Sequence, residues 1–176
     1  MGGDDVVEEW VIAIRICGAA ALAAIVGFER EARYSDTTVN DTVHTHDKKP
    51  ACVKMHMLVA ASAATFVGVA LLNTQKWQLG DVNRVAAGVA SGVGFLGAGT
   101  IAKKEMQVSG LITAAGIWLV AGIGFAVANG YWYIGVLATA LAVVIQFGFF
   151  WFLSPTFWKD MMQKFPTTTT EDDKDD

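Results

Sequence analysis

Charged residues are missing from long stretches of this sequence, and proline and cysteine are scarce throughout. Its 13 Lys and Arg and 17 Asp and Glu are collected into short segments, with Pro 3 and Cys 2 among 176 residues. No patch or stripe of Lys and Arg is present, which argues against a nucleic-acid-binding protein. The two cysteines, Cys17 and Cys52, form no CxxC pair, so neither a disulfide framework nor a zinc ribbon is expected.

Five apolar runs are present instead, each long enough, or nearly so, to cross about 30 Å of hydrocarbon as a helix. They cover residues 10–28, 55–72, 85–101, 111–128 and 131–153. A lipid-facing strand would leave backbone groups unpaired, and barrel-type alternation is missing. We therefore predict an all-α membrane protein, a compact bundle of about five transmembrane helices over residues 10–153. An acidic segment, 1–9, precedes it, a mobile loop spans 32–50, and a short, acidic, disordered tail covers 154–176.

The orientation follows from where Lys and Arg lie between the runs. Counted on alternate sides of the predicted membrane, ten lie on the side of the C-terminus and two on the side of the N-terminus. Because cytosolic loops carry the excess of Lys and Arg, we expect the N-terminus outside and the C-terminus inside. The charges that precede the first run are acidic, so it should be a retained helix rather than a signal peptide.

Glycine dominates the third run, at Gly88, Gly92, Gly94, Gly97 and Gly99, with Ser91 among them. Small residues spaced four apart let helix backbones approach closely in a membrane. The same spacing occurs as Ala19/Ala23/Gly27, Ala60/Ala64/Gly68 and Gly122/Ala126. We therefore predict tight helix packing with the third helix near the centre. Residues 92–97 also match GxGxxG, but without the strand-to-helix context that a nucleotide site needs.

Arg15 is the only ionised residue within the five runs. A charge inside a membrane is a functional hypothesis by default. Arg15 lies about 7 Å from the start of its helix, so its side chain can also reach the outer interface. Asp81 and Arg84 are expected on that same outer face, where an Arg15–Asp81 pair is possible. We favour snorkelling or structural pairing over a transport role.

A second polar group is expected at the cytosolic face, where the first helix ends and the second begins. Its members are Glu29, Arg30, Glu31, Lys54 and His56. They could anchor helix ends individually, or pair across helices in a partly buried network, and both interpretations stay open. His44, His46 and Cys52 lie nearby in the first loop, but their spacing matches no metal signature, so no metal site is predicted.

The five runs contain no Asp or Glu. Proton relays and cation pathways usually need carboxylates that face the bundle interior, and Mg²⁺ prefers hard oxygen ligands. Transport therefore receives little support from the sequence. No paired carboxylates, nucleophile–base pair or HExxH occurs either, so we expect neither an enzyme nor a cofactor.

Several segments together resemble the membrane domain of the MgtC/SapB family. They are residues 27–31 (GFERE), 56–59 (HMLV), Asp81 with 84–86 (RVA), 91–101 (SGVGFLGAGTI), Val108, 110–111, 113–115 beginning at Thr113, and Trp118. The resemblance covers roughly residues 10–153. Departures include Lys54 where the family usually has Arg, which loses bidentate geometry. Only a short tail follows, so a divergent member consisting of the membrane domain alone is expected.

The resemblance implies a multi-pass protein of the plasma or inner membrane, linked to magnesium limitation and stress. Some family members inhibit the F-type ATP synthase. Our leading hypothesis is thus a regulator that contacts another membrane complex, the ATP synthase by analogy, and a homo-oligomer is possible. One alternative is a transporter or channel for Mg²⁺ or another small solute. Another is a structural subunit of a larger membrane assembly.

Overall fold

A computed structural model describes residues 7–37, 52–78, 80–104 and 107–152. Five helices follow the five apolar runs: α1 (Glu9–Thr37), α2 (Cys52–Trp77), α3 (Val82–Gly99), α4 (Leu111–Ala128) and α5 (Trp132–Phe152). The helical class is thereby confirmed. Between α3 and α4, a hairpin of β1 (Ala102–Lys104) and β2 (Gln107–Ser109) was not predicted.

Three helical segments are long and apolar enough to cross a membrane: Glu9–Phe28, Val53–Trp77 and Leu111–Ala128. The segment Trp132–Gln146 is apolar but shorter. Helix α3 has polar Asn83 and Arg84 in its first turn, and its glycines add little hydrophobicity. The described residues thus identify a helical protein rich in potential membrane spans.

The predicted first loop is partly wrong, because α1 continues as helix through residues 32–37. No glycine or proline interrupts that polar stretch, so the helix outlasts the apolar run. The rest of that loop, with His44 and His46, and the predicted disordered tail lie outside the described residues.

The chain divides into two compact units, Met1–Val143 and Val144–Asp176. The described part of the second unit, residues 144–152, is helical. In the first unit the main core joins α1, α2 and α4, with Ala142 of α5. As predicted, the alanines of the first two small-residue stripes, Ala19, Ala23, Ala60 and Ala64, are fully buried in it.

Two contacts show that α1 and α2 run in opposite directions. The Val7 amide donates to Gln75 Oε1 at 3.0 Å, which brings the start of α1 to the end of α2. The Val53 amide donates to Glu31 Oε2 at 3.4 Å, at the opposite end. We call the end of the bundle at Val7 and Gln75 the Arg15 end, and the opposite end, at Glu31 and Val53, the His56 end. The end of α3 and the start of α4 also lie together, since Gly97 packs against Ala114.

Candidate functional site

Arg15 closes the end of α4. Its Nη1 donates to the carbonyl oxygen of Ala128 at 2.8 Å, at the last residue of that helix. A cation there satisfies a carbonyl that has no partner within the helix and opposes the negative end of the helix dipole. Gly130, at φ +86°, leaves room for the guanidinium, because an added Cβ would lie 3.0 Å from Nη2. These contacts support the structural interpretation of Arg15.

Asp81 and Arg84, the two further charges predicted at the Arg15 end, belong to the start of α3. Asp81 is its N-cap, and its Oδ1 accepts a hydrogen bond from the Asn83 amide at 2.8 Å. Such a cap satisfies an amide that the helix itself leaves unpaired. Arg84 is exposed in the first turn. Arg15 and Asp81 therefore have different backbone partners, Ala128 and Asn83, rather than the pairing that the sequence made possible.

The His56 end combines a buried residue with exposed and half-buried ones. His56 is 0% exposed, while Lys54, two residues earlier, is exposed. Glu31 is half-buried and accepts the Val53 amide, so it joins α1 to the first turn of α2. Thr113 is half-buried in the first turn of α4. The side chains of Glu29 and Arg30 lie outside the described residues.

Four of the five glycines of α3 are exposed rather than at the centre of the bundle, which corrects the prediction. At Gly88, Gly92, Gly94 and Gly99 an added Cβ would meet no described residue within 4 Å, and Ser91 is exposed beside them. Within α3 only Val93 and Gly97 are buried. Apolar Val93 faces the bundle, so the small residues are left on the opposite and lateral surfaces. Gly88, Gly92 and Gly99 lie on one side of α3, and we call them the glycine face; Gly94 lies about 200° around the helix from Gly92.

Part of the glycine face opens into an apolar groove between α2 and α3. The groove encloses about 660 Å³. Its walls are Leu58, Val59, Ser62, Ala63 and Phe66 of α2, and Val85, Gly88, Val89, Gly92, Val93 and Leu96 of α3. The missing side chains at Gly88 and Gly92 deepen it on the α3 side. We call it the α2–α3 groove.

Gly124 and Gly110 carry close contacts that the sequence analysis missed. A Cβ on Gly124 would lie 2.3 Å from the carbonyl oxygen of Ala60, so α2 and α4 meet there backbone to backbone. The predicted stripe used Gly122, which is exposed; the pair Gly124 and Ala128 has the same spacing and could have been chosen. Gly110, at φ +89°, would place a Cβ 2.0 Å from the Thr100 carbonyl oxygen.

Among the described residues, no group of three His, Cys, Asp or Glu side chains could hold a metal ion. The structure thus defines a class: a helical membrane protein with capped polar ends, a small-residue core and an open groove. The chain belongs to the MgtC family, whose model matches residues 16–153.

Relatives agree with that assignment. The chain is 30% identical to the putative magnesium transporter YhiD of Escherichia coli over 138 residues, covering 75% of this chain and 57% of YhiD. It is 30% identical to protein SrpB of Synechococcus elongatus over 153 residues, covering 80% and 76%. It is 35% identical to protein MgtC of Brucella abortus over 133 residues, covering 74% and 48%. The chain thus spans about half the length of YhiD and MgtC. No solved structure matches it.

Proposed function

We propose that this chain is a non-enzymatic, multi-pass membrane regulator that acts by contact with another membrane complex. By analogy with its family, that complex is an F-type ATP synthase, and the setting is magnesium limitation or stress. The contact surface is the α2–α3 groove with the adjoining glycine face. A transmembrane helix of the partner would lie along it.

The observation that carries this proposal is the open space at Gly88 and Gly92. In a membrane, apolar surface alone does not drive helices together, since lipid tails are equally apolar. Close backbone approach at small residues does, and Gly88 and Gly92 face open space among the described residues. Phe95 and Leu96, 81% and 53% exposed, could then pack around the docked helix.

The proposed arrangement has five membrane crossings, an outer N-terminus and a cytosolic C-terminus. The opposite directions of α1 and α2 support it, as consecutive crossings require, and the exposed Lys54 at the His56 end fits a cytosolic face there. Exposed aromatic rings lie near the Arg15 end: Trp10, Trp77, Tyr131, Trp132 and Tyr133. Such rings favour a membrane interface. The proposed location is the plasma or inner membrane.

The test is ATP-driven proton pumping in membrane vesicles that contain the ATP synthase, with and without this protein. The wild-type chain should slow pumping, and Gly92→Leu should remove the effect because its side chain fills the groove. Gly122→Leu is the matched control, since Gly122 is equally open but lies on α4. Unchanged pumping at saturating wild-type protein would contradict the proposal.

Magnesium transport is the second candidate, favoured by the printed name of YhiD. Hydroxyls such as Ser62 in the groove could offer oxygen ligands. Sealed liposomes containing only the purified protein would decide it. Mg²⁺ entry above that of protein-free liposomes supports transport, and impermeable liposomes eliminate it.

A further inference from the structure

The hairpin between α3 and α4 is held at a fixed place by a narrow root. Thr100 ends α3, and its Oγ1 donates to the Gly97 carbonyl oxygen at 2.7 Å. Gly110 lies so close to the Thr100 carbonyl that no side chain would fit between them. Only three residues therefore separate Gly99, the last residue of α3, from Lys103 in β1.

In the proposed membrane placement, the root lies where α3 and α4 leave the apolar layer. Ile101, Leu111 and Ile112 are 40%, 56% and 70% exposed around it. Large exposed aliphatic side chains at this position are favourable when lipid covers them. The polar headgroup layer on each side of a bilayer is about 5–8 Å deep. Lys103 follows Ile101 by two residues, which span at most about 7 Å, so the proposed membrane placement puts β1 within that layer.

Lys54, Lys103 and Lys104 belong to this end of the molecule by their place in the chain. Lys103 and Lys104 are consecutive in β1, and Lys54 is exposed in the first turn of α2 at the same end. The half-buried Glu31 accepts the Val53 amide through Oε2 at 3.4 Å. We propose that β1 and Lys54 form a contact surface for the anionic headgroups of phospholipids. This inference requires the membrane placement but not the regulatory role.

A lipid surface fits these features better than an acidic protein segment. The exposed aliphatic side chains at the root need an apolar neighbour, and the lysines need an anionic one. A bilayer offers its hydrocarbon layer and its headgroup layer within a few ångströms of each other. An isolated two-stranded hairpin is marginally stable in water. Anchoring its positive strand in the headgroup layer would hold it in place.

The test measures how strongly spin-labelled phosphatidylglycerol associates with the reconstituted protein relative to spin-labelled phosphatidylcholine. Wild-type protein in phosphatidylcholine membranes at low salt should prefer phosphatidylglycerol. The preference should weaken in 1 M salt, where the Debye length falls to about 3 Å. K103Q/K104Q should lower it by about threefold or more, since each lysine near an anionic surface contributes up to roughly fivefold.

K76Q/R84Q is the matched control, because it removes two exposed cations from the opposite end. It should keep the wild-type preference. The proposal is overturned if K103Q/K104Q retains the preference, if the control loses it equally, or if wild-type protein shows none. Soluble glycerol phosphate at millimolar concentration tests whether the lysines bind free phosphate rather than a lipid surface. Competition by it would indicate a discrete phosphate site and would also overturn the lipid-surface proposal, which expects no competition.

Discussion

Two glycine-containing helices, α4 and α3, use their small residues in opposite ways. Gly124 of α4 meets the backbone of α2, so close that an added Cβ would lie 2.3 Å from a carbonyl oxygen. Gly88, Gly92, Gly94 and Gly99 of α3 would accept a Cβ without contact to any of the described residues. The first kind of glycine assembles the fold, and the second leaves a surface open.

The difference separates stability from recognition. Helices α1, α2 and α4 form the main core with small side chains, and the α3 glycines contribute no packing there. A substitution that fills the space beside a glycine should therefore harm folding at Gly124 and binding of the partner helix at Gly92. Variants can test this separation directly.

The largest effect is expected for Gly124→Ala. The new Cβ would clash with the Ala60 carbonyl oxygen and approach Ala63 Cβ to 3.1 Å, so the α2 and α4 backbones must move apart. We expect a loss of about 2–3 kcal/mol in the free energy of unfolding, as for overpacked cores. Thermal denaturation in a mild detergent measures it. Gly122→Ala, exposed and open on the same helix, should not destabilise the protein. Equal effects at the two positions would refute the close contact.

A somewhat smaller effect is expected for Gly110→Ala. A left-handed backbone costs a non-glycine residue roughly 1–2 kcal/mol, and the Cβ would also collide with the Thr100 carbonyl. The hairpin root is partly exposed and can shift, which limits the total to about 2 kcal/mol. Gly80→Ala is the matched control. Gly80 has φ +100° but its nearest contact would be Thr74 Oγ1 at 3.7 Å, so only the backbone strain applies. The same denaturation measurement compares the two, and a Gly80 variant as unstable as Gly110→Ala would argue against the narrow root.

Arg15→Met should cost about 1–2 kcal/mol. The variant loses a charge-assisted hydrogen bond to Ala128 and the favourable interaction with the end of α4. Removal of a half-buried charge recovers part of its desolvation cost, which keeps the loss modest. Arg84→Met, at an exposed position, should leave the unfolding midpoint nearly unchanged. If Arg15→Met instead abolished Mg²⁺ flux in liposomes without changing stability, the structural interpretation would be wrong.

Much of the fold could be predicted because long apolar runs can be satisfied only as helices. The prediction for α4, 111–128, agrees with the structure at both ends. Helix α1 was predicted too short, since hydropathy reports where the hydrocarbon ends and not where a polar helix continues. The hairpin was missed because β1 and β2 have three residues each, too few for a clear alternation.

The polar contacts were harder to predict for a physical reason. Arg15 binds the carbonyl oxygen of Ala128, and every residue type offers such an acceptor, so the sequence does not distinguish it. Small-residue spacing likewise identifies stripes but not which of them face a neighbour. The stripes of α1 and α2 are buried, whereas Gly88 and Gly92 are open. Burial depends on the position of the facing helix, which only the assembled structure provides.

The smallest effect on stability is expected for the double variant Gly88→Ala/Gly92→Ala. Both added methyl groups would enter open space, and alanine is the better helix former, so stability should stay the same or rise by up to about 1 kcal/mol per site. Two methyl groups in the floor of the α2–α3 groove would nevertheless keep a docked helix from close approach. The decisive measurement is therefore a pair: the unfolding midpoint, and the slowing of ATP-driven proton pumping in vesicles. An unchanged midpoint with weakened inhibition separates the open glycines from the core ones, while a strongly lowered midpoint would place Gly88 and Gly92 in the packing of the chain itself.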